Sequence, residues 1–380
     1  MSETFVLELA ILLAAAFSGG LLVKRFGYPA ALGELVLGIA IGPFALGFVR
    51  QSEMIDIFAE LGAIILLFYI GLETEMDMLK KYLGSSILVA SLGAILPFVL
   101  GYYGGLLLGF PDNESLFLGT VLTATSLGIT VRMLTDLKKL HTPFGMTILG
   151  AGVIDDVIAV ILLTLVLDLL KGQLVLGSIG MILLEVAVFW AVVLVIGARF
   201  LSKFFDRARI STENLLILFL ALCFAVAFIS AEVGLSTIIG AFAVGVSLSG
   251  MKKIGAVLKK GHALYLFFVP IFFVSIGMLI DVSVFTSNII PSLIVTVLAI
   301  VGKVGGCGVA ALVTGSSRKD ALRIGVGMSP RGEMGLIIAG IGLASGFIGD
   351  DIFTISVVSV VLTTIIGMPA LKLLLKESQS

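Results

Sequence analysis

The chain has 380 residues, 59% of them hydrophobic and 13% charged, with a net charge of −1 and a mean hydropathy of +1.21. An ordinary soluble domain carries about 25% charged residues, so the composition excludes that class and points to an integral membrane protein. The near-neutral charge gives no sign of a nucleic-acid partner, and Cys223 and Cys307 fall in apolar runs, where reduced, packed thiols are expected rather than a disulfide framework.

A membrane-spanning helix needs about 20 mostly apolar residues. Thirteen such runs follow one another at 4–23, 29–48, 56–74, 84–108, 115–135, 143–169, 175–199, 213–231, 234–250, 262–281, 287–313, 320–345 and 352–375. They leave no room between them for a soluble domain. The first begins MSETFVLELA, with acids instead of a basic leader and no small-residue cleavage site, so it is expected to be a retained helix. Twenty of the 24 Lys and Arg fall after odd-numbered spans or in the C-terminal tail, whereas the opposite loops hold only Arg50 and Lys171. The positive-inside bias predicts a multi-pass cell-membrane protein with its N-terminus outside and its C-terminus cytoplasmic.

Gly27, Gly33 and Gly38 in span 2 recur 207 residues later as Gly234, Gly240 and Gly245 in span 9. LLFYIGLETEMD (66–77) at the end of span 3 resembles FFVSIGMLIDVS (272–283) at the end of span 10, and Gly119 of span 5 maps onto Gly325 of span 12. If spans 1–6 repeat as 8–13, span 7 is a linker and each helix lies seven spans from its duplicate. An odd offset reverses direction, giving two inverted six-helix repeats, the arrangement of many secondary transporters; packing symmetry alone is the alternative. Glu34, Glu60 and Glu73 sit near span ends as interfacial or inter-helix partners, and Glu185 stands in span 7 without an evident one.

Span 5 contains GTVLTATSLGITVRML (119–134), where Thr123, Thr125, Ser126, Gly128 and Thr130 interrupt the apolar pattern. Its duplicate, span 12, contains GVGMSPRGEMGLII (325–338), with Pro330 and the pair Arg331 and Glu333. Both read as broken helices that cross near the membrane centre. Unwound backbone there is tolerated only against protein or a water-filled cavity, and its half-helix ends offer carbonyls to cations. Hydroxyls that simply bond to neighbouring helices are the alternative.

Span 6 contains GAGVIDDVIAV (150–160), two adjacent acids in mid-membrane. Ionisable groups at that depth are costly and functional by default. Asp155 and Asp156 project about 100° apart on a helix, so they cannot play identical roles. Apart from loops and tail, the cations are Lys303, in LAIVGKVGGCG (298–308), and Arg331. Position 303 maps back to Pro97, and the two acids map forward to Val361 and Leu362, so acids and lysine belong to different halves. A structural salt bridge and a place on an ion pathway are both open for Lys303 with an aspartate. Hard cations prefer oxygen ligands, and an aspartate that a proton and a cation occupy in turn, reached from one side at a time, is an antiporter. No nucleotide loop, Cys/His cluster or hydrolytic triad is present, so neither an enzyme nor a cofactor is expected.

The motifs TATSLGIT, GVIDD, GKVGG and PRGEMGLI, with GYPAALGELVLGIAIGP near the start and IGLE after span 3, resemble the cation/proton antiporter superfamily over essentially the whole chain. The two aspartates resemble its NapA-like bacterial sodium/proton antiporters. That resemblance implies thirteen helices, a core moving like an elevator against a dimerisation panel, and homodimers. The panel would be 1–83 and 213–286, the core 84–170 and 287–380, and the linker 171–212. It implies that Asp156 carries the ion and proton, that Asp155 pairs with Lys303, and that Thr125 and Ser126 line the site. Arg331 and Glu333 match the family motif, with a structural tie weighed above a functional one. The aspartate pair implies electrogenic exchange of Na+ or Li+ for H+. The alternative is a potassium/proton antiporter, whose relatives usually show Gln-Asp at this position. No nucleotide partner is expected.

Overall fold

The protein's computed structural model describes residues 2–25, 28–171, 176–197, 205, 210–279 and 288–376. Among them are fifteen helices: α1 (Ser2–Arg25), α2 (Ala30–Ile41), α3 (Glu53–Glu73), α4 (Met76–Leu107), α5 (Asp112–Val121), α6 (Leu127–Asp136), α7 (Pro143–Leu170), α8 (Leu176–Val195), α9 (Thr212–Glu232), α10 (Thr237–Leu248), α11 (Ile254–Met278), α12 (Ile289–Val313), α13 (Arg318–Gly327), α14 (Glu333–Ala344) and α15 (Asp350–Lys376). Seven are long and apolar enough to cross a membrane, and shorter apolar helices accompany them.

The starts of these helices are written locally. Thr142 accepts a hydrogen bond from the Gly145 amide at 3.2 Å, with Pro143 in the first turn of α7. Ser317 does the same for the Asp320 amide at 3.1 Å at the head of α13. Each satisfies an amide that the first turn leaves open. Three expected boundaries move by seven or eight residues, among them the start of span 10, whose helix begins at Ile254 instead of 262. Span 2 ends at Ile41, seven residues before 48, because Gly42 and Pro43 follow and proline neither donates an amide nor tolerates a helical predecessor. The helix of span 4 begins at Met76, so Lys80 and Lys81 ride on its first turns instead of a loop.

Spans 5 and 12 are both broken. Residues 122–126 separate α5 from α6, and 328–332 separate α13 from α14. The start and end of α5 and the start of α6, at 112, 121 and 127, each recur 206 residues later, at 318, 327 and 333. The packing follows the same correspondence. A β-carbon built on Gly38 of α2 would lie 3.0 Å from the Cα of Gly277 on α11, and one on Gly71 of α3 would lie 2.9 Å from the Cα of Gly245 on α10. Since 38 maps onto 245 and 71 onto 277, the two close crossings are one contact with the halves exchanged.

Helix packing falls into two sets. α1–α3 pack with α9–α11, and α4–α7 pack with α12–α15. α8 touches both, through α7 and α10, and α6 rests on α2 and α3 across the seam.

Candidate functional site

α7 and α12 are buried against α4, and their meeting brings two opposite charges together. The Nζ of Lys303 donates to Oδ1 of Asp155 at 2.6 Å, with both side chains fully enclosed, at 0% and 1% exposure. The absence of a side chain at Gly93 lets α4 and α12 approach beside the lysine: a β-carbon there would collide with Cys307 Sγ, with Cδ and Nζ of Lys303 in van der Waals range at 3.8 Å. Gly302 packs on Pro97 in the same way, with a built β-carbon 2.9 Å from the proline Cα. Lys303 and its duplicate position therefore sit at one crossing. Oδ2 of Asp155 makes no hydrogen bond among the described residues.

Asp156 is also buried, at 7% exposure, but on another face of α7. Residues four apart share a face, and Gly152, one turn earlier, lies against Leu127, the first residue of α6; a β-carbon on it would be 2.5 Å from Leu127 Cδ1. Asp156 thus projects from the side of α7 that faces the break between α5 and α6.

The two breaks are stitched to each other. The Ser126 amide donates to Pro330 O at 3.0 Å, Thr125 Oγ1 donates to Met328 O at 3.1 Å, and Thr130 Oγ1 donates to Gly327 O at 2.8 Å. In return, Arg331, 1% exposed, donates to Ala124 O at 2.7 Å and to Ala299 O of α12 at 3.3 Å. Thr364 of α15 donates to the Arg331 carbonyl. Each gap places the carbonyl end of one short helix beside the amide end of the next, so opposite partial charges sit within a few residues. The guanidinium occupies the position where carbonyls would otherwise be unanswered in a water-poor interior. The side chain of Glu333 lies outside the described residues.

Sequence reasoning placed Arg132 and Lys372 in a loop and the tail. Both are buried, at 7% and 3% exposure. Arg132 lies in α6, where its Nε approaches Asp136 Oδ1 at 3.1 Å and its Nη1 donates to Tyr265 of α11 at 2.8 Å; Lys372 stands 3.3 Å from the centroid of the Tyr28 ring. The signal was present for the first in the i, i+4 spacing of Arg132 and Asp136. Glu34, expected as an interfacial or inter-helix partner, is 3% exposed on α2, and its Oε2 has no hydrogen-bond partner among the described residues.

Residues 12–377 match the family described as "Sodium/hydrogen exchanger, transmembrane". The chain is 40% identical over 376 residues to the Na(+)/H(+)-K(+) antiporter GerN of Bacillus cereus, covering 98% of this chain and 96% of that one. It is 35% identical to an Na(+)/H(+) antiporter of Enterococcus hirae, covering 98% of each. Its fold matches the solved sodium proton antiporter MjNhaP1 of Methanocaldococcus jannaschii, with a TM-score of 0.70 at 16% identity over 97% of each chain. Two stitched helix breaks, a buried aspartate–lysine pair and similarity along nearly the whole length converge on one conclusion: the chain belongs to the transmembrane sodium/hydrogen exchanger family, multi-pass cation/proton antiporters and not enzymes.

Proposed function

We propose that this protein exchanges Na+ or Li+ for H+, with the cation and the proton competing for Asp156. The observation that carries the reading is the buried ion pair of Lys303 with Asp155 immediately beside Asp156. One acid is neutralised by an internal cation, and its neighbour faces the helix break, where Thr125, Ser126 and local carbonyls are further oxygen donors of the kind a hard cation prefers.

Each pair of short helices, α5 with α6 and α13 with α14, counts as one broken span, which makes thirteen spans with the N-terminus outside. The constant offset between helix boundaries and the exchanged glycine crossings support two inverted repeats around linker α8. The two packing sets support a panel, α1–α3 with α9–α11, and a core, α4–α7 with α12–α15, that shift against each other to present the site alternately to the two sides. We assign the protein as a homodimer assembled through the panel, and the exchange as electrogenic. A second reading, potassium/proton exchange, is favoured by GerN, whose name includes K+.

The test is proton-gradient collapse in everted vesicles. Sodium and lithium are expected to collapse the gradient and potassium to leave it standing; a response to potassium alone would replace the first reading with the second. Asp156→Asn should abolish the response, and exchange of normal affinity in that variant would remove Asp156 from its role.

A further inference from the structure

Two cations of the core rest on two tyrosines of the panel, both across the seam along which the sets would slide. Arg132 of α6 donates to the Tyr265 hydroxyl at 2.8 Å, and its guanidinium carbon stands 5.1 Å from the centroid of the same ring. Lys372 of α15 stands 3.3 Å over the ring of Tyr28, which precedes α2. Such contacts gain strength where water is excluded, and here both cations are more than nine-tenths buried.

The surroundings reinforce the first contact. Asp136 holds Arg132 from its own helix at 3.1 Å, and the Glu34 carboxylate of the panel acts on the same guanidinium. Tyr265 is fixed in turn by the rings of Tyr69, at 5.5 Å, and His262, at 5.9 Å.

By charge bias, both contacts lie toward the cytoplasmic ends of their helices. The opposite end of the seam is open: a cavity of about 730 Å³ lies between the ends of α2 and α11 on the panel side and α14 and α15 on the core side, with Thr354 and Val357 in its wall. The repeat explains why the ends differ. At the same offsets, Arg132 maps onto Ile338 and Tyr265 onto Ala59, while Lys372 maps onto Val166 and Tyr28 onto Leu235. Every counterpart is apolar, so this polar closure has no duplicate at the outer end.

We propose that Arg132–Tyr265 and Lys372–Tyr28 are clasps that close the cytoplasmic end of the core–panel seam and hold the resting protein open to the outside. Arg132, Tyr265, Lys372 and Tyr28 are positioning residues: they touch no transported ion and set which side reaches Asp156. The inference rests on the proposed orientation.

The experiment labels a single reporter, Thr354→Cys in the cavity wall, with a membrane-impermeant maleimide added to intact cells; Cys223 and Cys307 are buried and the parent protein supplies the background. Tyr265→Phe keeps the ring and removes the hydroxyl that accepts from Arg132. Loss of a hydrogen bond to a charged group shifts a two-state balance by about ten-fold, so labelling of the reporter should slow severalfold. Lys372→Gln should act in the same direction. Apparent affinity for sodium should fall from the outside and rise from the cytoplasmic side, a split that a merely structural role would not produce, and Arg132→Lys should restore part of what Arg132→Gln loses. Unchanged labelling and unchanged affinities in Tyr265→Phe and Lys372→Gln, at the parent's melting temperature, would overturn the clasps. Labelling of Thr354→Cys only in everted vesicles would instead overturn the orientation and with it the assignment to the cytoplasmic end.

Discussion

Asp155 and Asp156 are adjacent in sequence, yet one meets a lysine from the other half while the next faces a helix break. That Lys303 meets one of the two acids was legible because charge inside apolar runs is rare: two deep cations were visible, and Lys303 stood among glycines that permit close approach. That the acid is Asp155 was implied only by the family resemblance. Arg132 was not legible as a buried group, since it lies near a span end, where a basic residue normally reaches water. Of its partners, Asp136 lies one turn away and was readable as a pair, but Tyr265 is 133 residues away. The enclosure of the ion pair makes its loss costly. Removing one member of a buried pair strands the other charge, at roughly 3–5 kcal/mol, whereas replacing both can be nearly neutral. Lys303→Ala should therefore lower the melting temperature of the purified protein sharply. Adding Asp155→Asn should recover much of that loss, and equal melting of the single and double variants would show that the pair contributes no such coupling.

At the scale of helices, the sequence marked both breaks through Ser, Thr, Gly and Pro in otherwise apolar runs. It could not reveal how they close on each other, because the hydrogen bonds join residues about 200 positions apart and depend on two helices crossing. Arg331 is central to that closure: its planar group reaches Ala124 O and Ala299 O together, a fork geometry that an ammonium does not reproduce. Arg331→Lys should keep the charge but lose one of those bonds. The expected result is a variant that inserts into the membrane, melts several degrees lower and exchanges sodium more slowly; parent-like melting would show that the fork is dispensable.

Over the whole molecule, the near-constant glycine spacing pointed to the proposed duplication, while the division into two packing sets was not readable from composition or hydropathy. Helix–helix contact in a membrane depends on small residues that let backbones approach, and the two exchanged crossings are of this kind. A side chain at Gly277 would collide with the backbone of α2, and one at Gly71 with that of α10. Overpacking of a tight contact costs about 1–3 kcal/mol. Gly277→Ala and Gly71→Ala should thus destabilise the purified protein by similar amounts; a large difference in melting temperature would argue that the two crossings are not equivalent.

The ion pair also bears on leakage. Lys303 cancels Asp155 locally, so under the proposed exchange the loss of a cation or proton from Asp156 makes the core one charge more negative than when loaded. Moving one elementary charge through a membrane voltage is worth about 2.3 kcal/mol per 100 mV. On that proposal the carrier that has lost its ion is opposed in crossing relative to the loaded one, and slippage of either ion without its counterpart is disfavoured.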